Sequence, residues 1–212
     1  MRNCFFNMLG KGTKMLRMFL IFSFSQCLIS LTSCSDDSSE EDEYANWEER
    51  NDAYINKLAQ SQMMKIKAYT KDPLVGGKSS DYIYVEVLEE GNGTESPLFT
   101  DTIRVAYRGR LIPTTSYPEG AIFDQSYEGE FSWRTADVQD FCCGNVVNGF
   151  STAMMHMHIG DRWRVHIPYQ LGYGTSSTSS IKGYSNLIFE IALVDFWHPG
   201  ELRGDFKARK QE

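Results

Sequence analysis

The sequence predicts an α+β domain in which one antiparallel, twisted sheet wraps around a single short helix. Three observations carry this expectation. Four segments alternate apolar and polar residues with period two, the signature of half-buried strands. Between them, only the stretch at about Val147–Met157 reads as a short helix. The composition, 42% hydrophobic and 23% charged over 212 residues, is that of an ordinary globular chain with one medium domain. It argues against disorder throughout, a collagen-like repeat and a polytopic membrane protein.

The strands come in order. Ile83, Val85 and Val87 alternate with Tyr84 and Glu86 until Gly91-Asn92-Gly93 breaks the run. Ile103, Val105, Tyr107, Gly109 and Leu111 alternate with Arg104, Ala106, Arg108 and Arg110. Trp163, Val165, Ile167 and Tyr169 alternate with Arg162, Arg164 and His166, and Leu187, Phe189, Ile191 and Leu193 with Glu190 and Ala192. One polar side per strand means a sheet packed on one face and wet on the other, which favours antiparallel pairing. Something must cover the apolar face, and the helix at Val147–Met157 is the candidate inside the domain.

The first third reads as a label and a tether. Residues 1–33 hold Arg2, Lys11, Lys14 and Arg17 and no acid, a charge of +4, so the remaining residues carry −11 of the total of −7. A chain that acidic is a poor candidate for binding nucleic acid through phosphates. The basic start leads into Met18-Phe19-Leu20-Ile21-Phe22-Ser23-Phe24, with the order of a secretory signal. Ser23, Ser25 and Gln26 interrupt the apolar run, which makes it a weak transmembrane span. It ends in Leu31-Thr32-Ser33-Cys34, which resembles the lipobox of bacterial lipoproteins. Small Thr32 and Ser33 suit a protease cleft, and Cys34 supplies the thiol that a lipid would occupy. The alternative is an ordinary signal with a coincidental cysteine. The acidic run Ser35-Asp36-Asp37-Ser38-Ser39-Glu40-Glu41-Asp42-Glu43 cannot bury enough apolar surface to order itself. It is a solvated spacer, or, behind an acylated cysteine, resembles the surface-export signal of Bacteroidetes lipoproteins. The expected location is a bacterial envelope, lipid-anchored at the outer membrane, with exposure at the surface if the acidic run is the export signal and not a spacer alone.

The expected boundaries are a signal at 1–33, an acidic tether at 34–43, a helical segment and loop at 44–80, the folded domain at 81–198 and a polar tail at 199–212. In the helical segment Tyr44, Trp47, Tyr54 or Ile55, and Leu58 recur near a 3.6-residue period. Once Cys34 is lipidated and the signal removed, Cys142 and Cys143 are the remaining thiols. Adjacent cysteines without a Cys-x-x-Cys spacing read as small, partly buried residues near a turn rather than a redox pair. Met154-Met155-His156-Met157-His158 contains copper-type ligands. Met154 and Met157, however, fall on the core side of the expected helix, and His156 and His158 point apart. No metal site and no cofactor are expected.

Within the domain, several blocks carry a family resemblance. Val105-Ala106-Tyr107-Arg108-Gly109-Arg110-Leu111 followed by Phe123-Asp124-Gln125-Ser126 resembles the second and third strands of FKBP-type peptidyl-prolyl isomerases. Val146-Val147-Asn148-Gly149-Phe150 resembles that family's Val-Ile-x-Gly-Trp approach to its helix. Met157-His158-Ile159-Gly160-Asp161-Arg162 resembles the Met-x-x-Gly turn that follows. Pro168 through Gly174 matches its Pro-x-x-x-x-Tyr-Gly segment, and Leu187 through Leu193 its last strand. The blocks occur in family order over about residues 82–197.

The resemblance implies an enzyme that isomerises prolyl bonds of polypeptides in a shallow aromatic pocket, and that binds macrolides of the FK506 type. Its catalytic positions would be Phe123, Asp124 and Tyr173. The substrate-binding positions would be Tyr107, Val146, Val147, Phe150, Ile181 and Phe189. Two departures stand out: Phe150 replaces the family's pocket-floor Trp, and Ile181-Lys182-Gly183-Tyr184 replaces Ile-Pro-Pro. Both leave room for a catalytically weak binding or chaperone module. A third reading gives the work to the helix at 44–58 as a surface interaction element.

Overall fold

A computed structural model describes residues 43–201. Cys34, the signal, the rest of the tether and residues 202–212 lie outside the described residues. Helix α1 (Trp47–Ala59) comes first, followed by β1 (Met64–Lys67), β2 (Tyr82–Glu89) and β3 (Thr102–Arg110). Then come β4 (Ile122–Gln125), β5 (Gln139–Cys142), α2 (Asn148–Met154), β6 (Arg162–Ile167) and β7 (Leu187–Trp197). The strands form one sheet in the order β1-β2-β6-β7-β3-β4, with β5 also paired to β3. Every pairing is antiparallel. β3 is the organiser: one edge pairs with β7, while the other is shared by β5 at Thr102–Val105 and β4 at Arg108–Arg110.

Period two sorts the side chains. Val105, Tyr107, Val165, Ile167, Phe189, Ile191 and Leu193 face the core, where they cluster with Phe150, Ala153 and Met154 of α2. A Cβ on Gly149 would fall 2.3 Å from Ile167 Cγ2, so only glycine lets the helix backbone sit this close to β6. Met154 and Met157 are fully buried. β6 stops at Ile167 rather than Tyr169 because Pro168 has no N–H to donate to a ladder. Tyr169 instead opens a short 3-10 turn, Tyr169–Leu171.

The outer face is wet only in its middle. At one end α1 lies over it, and Tyr54 Oη is hydrogen-bonded at 2.9 Å to Nδ1 of His166, whose neighbours Val165 and Ile167 point the other way. Tyr84, read from the alternation as a polar-face residue, is consequently buried, its hydroxyl donating to the Ser79 carbonyl. Val87, read as a core residue, is exposed where the β2–β6 register slips. At the other end the 127–138 segment folds back, packing Tyr127, Phe131 and Trp133 around Ala106 and Ala192. Between the covers Glu86, Arg164, Glu190, Arg162 and Glu89 form a ladder of ion pairs. The exposed Arg164–Glu86 pair is worth about 0–1 kcal/mol, while Glu190, a fifth exposed, is shared by Arg162 and Arg164. β1 has no counterpart in the sequence reading, because Met64–Lys67 is too short to show a period.

Candidate active site

Five elements bring aromatic rings to one end of the sheet. β7 supplies Phe189, whose ring meets Phe150 of α2 edge-on at 5.2 Å and Phe123 of β4 edge-on at 5.3 Å. β3 supplies Tyr107, 6.2 Å from Phe189 and 6.4 Å from Phe150 between ring centroids. β5 supplies Phe141, edge-on to Tyr107 at 5.7 Å. Edge-to-face pairs of this kind add about 0.5–1.5 kcal/mol each beyond their buried area, so the cluster is a rigid surface.

Gly109 makes the cluster possible. It pairs across β3 with Asp124 on one side and Phe189 on the other. A Cβ there would fall 2.5 Å from Phe123 Cζ and 2.7 Å from Phe189 Cε1, so both rings lean into space that only glycine leaves. The β3–β4 pairing slips between Gly109 and Arg110. Irregularities of this type commonly re-aim side chains beside a site.

The polar group of the cluster is one hydrogen bond, from Tyr107 Oη to Asp124 Oδ2 at 2.9 Å. Burial raises the Tyr107 phenol pKa well above its ordinary range, reinforced by that bond, by the Asp124 charge and by the nearby Tyr173 phenol. The hydroxyl therefore stays protonated and donating at any physiological pH.

Of the other expected positions, Tyr173 lies close enough to Tyr107 to act on its phenol. Val146 and Val147 are half-buried against the core just before α2, and Val147 is the N-cap residue of that helix. Ile181 is buried in the same core, and Tyr173 is 46% exposed. Gly109 and Phe141 are the contributors that the sequence reading passed over. A glycine inside a strand pattern is a recognised sign of close approach and could have exposed Gly109. Phe141 lies in a four-residue strand and gives no such sign. Phe131 and Trp133 take no part; they pack on the opposite face of the sheet.

Cys142 and Cys143 are free thiols at a turn. Burial pushes the Cys143 thiol up to about 12, helped by Cys142 and Asp101, which keeps it unreactive. Among the described residues no three His, Cys, Asp or Glu side chains converge as metal ligands.

The sequence profile of the FKBP-type peptidyl-prolyl cis-trans isomerases matches residues 93–194. The chain is 30% identical over 181 residues to the macrophage infectivity potentiator of Trypanosoma cruzi, covering 85% of this chain and 81% of that protein. It is 32% identical over 110 residues to the FKBP-type 22 kDa isomerase of Escherichia coli, covering 51% of this chain and 47% of that protein. For FkpA of Escherichia coli the identity is 28% over 156 residues, with 68% and 53% covered. The chain thus spans about half the length of these two bacterial relatives. Among solved structures, a peptidyl-prolyl isomerase from Pseudomonas syringae superposes with a TM-score of 0.53 at 25% identity, over 72% of this chain and 95% of that one. The crystal structure of Escherichia coli FkpA gives 0.54 at 25% identity, over 75% and 62%. An antiparallel sheet around a short helix, an aromatic cluster at its end and these relatives agree: the chain belongs to the FKBP-type peptidyl-prolyl cis-trans isomerases.

Proposed function

We propose that the aromatic cluster is the prolyl site of this isomerase, and that the enzyme acts on prolyl bonds of unfolded or partly folded proteins at a bacterial envelope. The observation that carries the site is the convergence of Tyr107, Phe123, Phe150 and Phe189 around a single hydrogen-bonded carboxylate, Asp124. An X-Pro bond rotates slowly because amide resonance must be broken, a barrier of about 20 kcal/mol. Twisting the amide removes its charge separation, so an apolar cleft holds the twisted form better than the planar one. That is differential transition-state binding. A millionfold acceleration requires about 8 kcal/mol at roughly 1.36 kcal/mol per decade. Val147 N–H and Tyr173 O–H are the donors we assign to substrate carbonyls. Asp124 orders Tyr107 and faces the reacting carbonyl, and FK506-type macrolides compete for the same cleft.

The test is a protease-coupled isomerisation assay on a prolyl tetrapeptide, with and without FK506. Phe123→Ala should lower kcat/KM at least tenfold in a folded protein. Unchanged turnover in that variant would remove the cluster from the reaction. The envelope reading rests on the basic, apolar and small-residue order ending at Cys34 and on the acidic run behind it. Cys34→Ala should yield unprocessed or released protein, whereas a variant that still fractionates with membranes at mature size would refute lipidation.

A further inference from the structure

Helix α1 lies outside the stretch that matches the family profile, yet it is bonded to the segment that carries Tyr173 and Ile181. Asn51 is fully buried. Its Oδ1 accepts the Asn186 N–H at 2.8 Å, and its Nδ2 donates to the Trp47 carbonyl at 2.7 Å. The Asn51 backbone carbonyl accepts from Asn186 Nδ2 at 2.6 Å. Asn186, 1% exposed, also accepts the Tyr169 N–H at 2.9 Å through Oδ1. One turn earlier on α1, Trp47 Nε1 donates to Ser185 Oγ at 2.8 Å, and that hydroxyl donates to the Lys182 carbonyl at 2.6 Å. The helix therefore fastens the 185–186 end of the 169–186 excursion directly and, through Asn186, its start at Tyr169; the excursion carries Tyr173 and Ile181.

That excursion needs fastening. Tyr184 sits at φ +64°, a left-handed conformation that a bulky residue adopts only at a cost. Its N–H donates to the Gly174 carbonyl at 2.9 Å, and Gly183 N–H donates to Ser177 Oγ at 2.9 Å. Lys182-Gly183 supplies no proline to stiffen the backbone. Strained backbone of this kind persists only where its surroundings over-determine it, and it gathers at functional sites. A buried pair of side-chain amides in which all four side-chain polar atoms are bonded does so, because shifting either partner strands buried groups.

We propose that α1 is a working part of the isomerase site: through Asn51 and Trp47 it holds the 174–186 loop in the strained form that sets Ile181 and Tyr173 at the cleft. Asn51, Trp47 and Asn186 are positioning residues, acting through the loop and not on the substrate. The proposal rests on the reading of the aromatic cluster as the prolyl site.

Helix α1 also stabilises the fold, and the same helix provides the control. Tyr54 bonds to His166 on the sheet and not to the loop. The test compares Asn51→Ala with Tyr54→Phe in the full chain. It measures kcat and KM on a prolyl tetrapeptide, thermal stability, and amide exchange at Gly183 and Tyr184. Asn51→Ala should lower kcat/KM at least fivefold and speed exchange at both amides at least tenfold. Tyr54→Phe should change neither by more than twofold, even where its melting temperature falls as far. Should Asn51→Ala fail to fold, Trp47→Phe keeps most of the ring and removes the N–H, and should speed the same exchange at least threefold. Unchanged exchange in the folded Asn51→Ala or Trp47→Phe variant, or an equal loss of activity in Tyr54→Phe, overturns the proposal. Absence of turnover in the unsubstituted chain overturns the prolyl-site reading instead, and with it the catalytic role of α1, while the exchange data still decide whether the helix holds the loop.

Discussion

Gly109→Ala tests the geometry of the cleft most directly, because it adds one methyl group and removes nothing. The added Cβ would stand 2.5 Å from Phe123 Cζ and 2.7 Å from Phe189 Cε1. To restore an ordinary 3.4 Å contact the two rings must retreat by about 0.7–0.9 Å. Phe189 cannot retreat freely, because Phe150 meets it edge-on at 5.2 Å. Overpacking of this kind costs roughly 1–3 kcal/mol. In a domain of this size that lowers the melting temperature by about 2–4 °C per kcal/mol. Activity should suffer more than stability, since a misplacement of about 1 Å in a site can cost on the order of a hundredfold. The expected result is a folded protein with kcat/KM reduced ten- to a hundredfold, read by the tetrapeptide assay beside thermal melting. Wild-type kcat/KM in a variant of lowered stability would show that Phe123 and Phe189 do not form the reacting surface.

Three further outcomes follow from the same geometry. Phe150→Trp should raise kcat/KM and macrolide affinity by about fivefold, since several new contacts at 0.1–0.2 kcal/mol each sum to roughly 1 kcal/mol. A joint loss of rate and melting temperature would mean instead that the space beside Phe150 is already filled. Tyr107→Phe removes the bond to Asp124, and Asp124→Ala removes both that bond and the carboxylate. The second should cost at least fivefold more in kcat, and equal rates in the two variants would reduce Asp124 to an orienting role for Tyr107. Burial, aided by the Arg164 charge, lowers His166 to about 4 from its ordinary value near 6.5. The unfolded chain therefore binds a proton that the folded one refuses between those values. Stability is lost as pH falls through that window, by about 2 kcal/mol between pH 7 and pH 5. Denaturant titrations at both pH values should show His166→Gln losing less than the parent, and identical losses would refute this.

Alternation in four segments was enough to give β2, β3, β6 and β7 and, Tyr84 and Val87 apart, the face each turns to the core, because burying one side of a pleat imposes period two on the residues themselves. The burial of Met154 was legible from its place on the helix, while Met157 is buried just beyond the end of α2. The aromatic positions were legible as short blocks in a fixed order, since each element must present one residue type at one place. Tyr84 and Val87 were misassigned because their burial depends on what lies beyond the sheet, and a strand pattern carries no record of that. Gly109 and Phe141 were missed for a related reason: one matters for the side chain it lacks, the other for a partner ring 34 residues earlier in the sequence. The link from Asn51 to Asn186 spans 135 residues and consists of amide hydrogen bonds that neither residue announces locally. Local periodicity determined four of the strands and the helix, and the ordered motif blocks carried the family; only tertiary packing decided which covers lie on the outer face, which glycine lets the aromatic rings meet and that α1 bonds to the 169–186 segment, because those are contacts between residues that no sequence spacing relates.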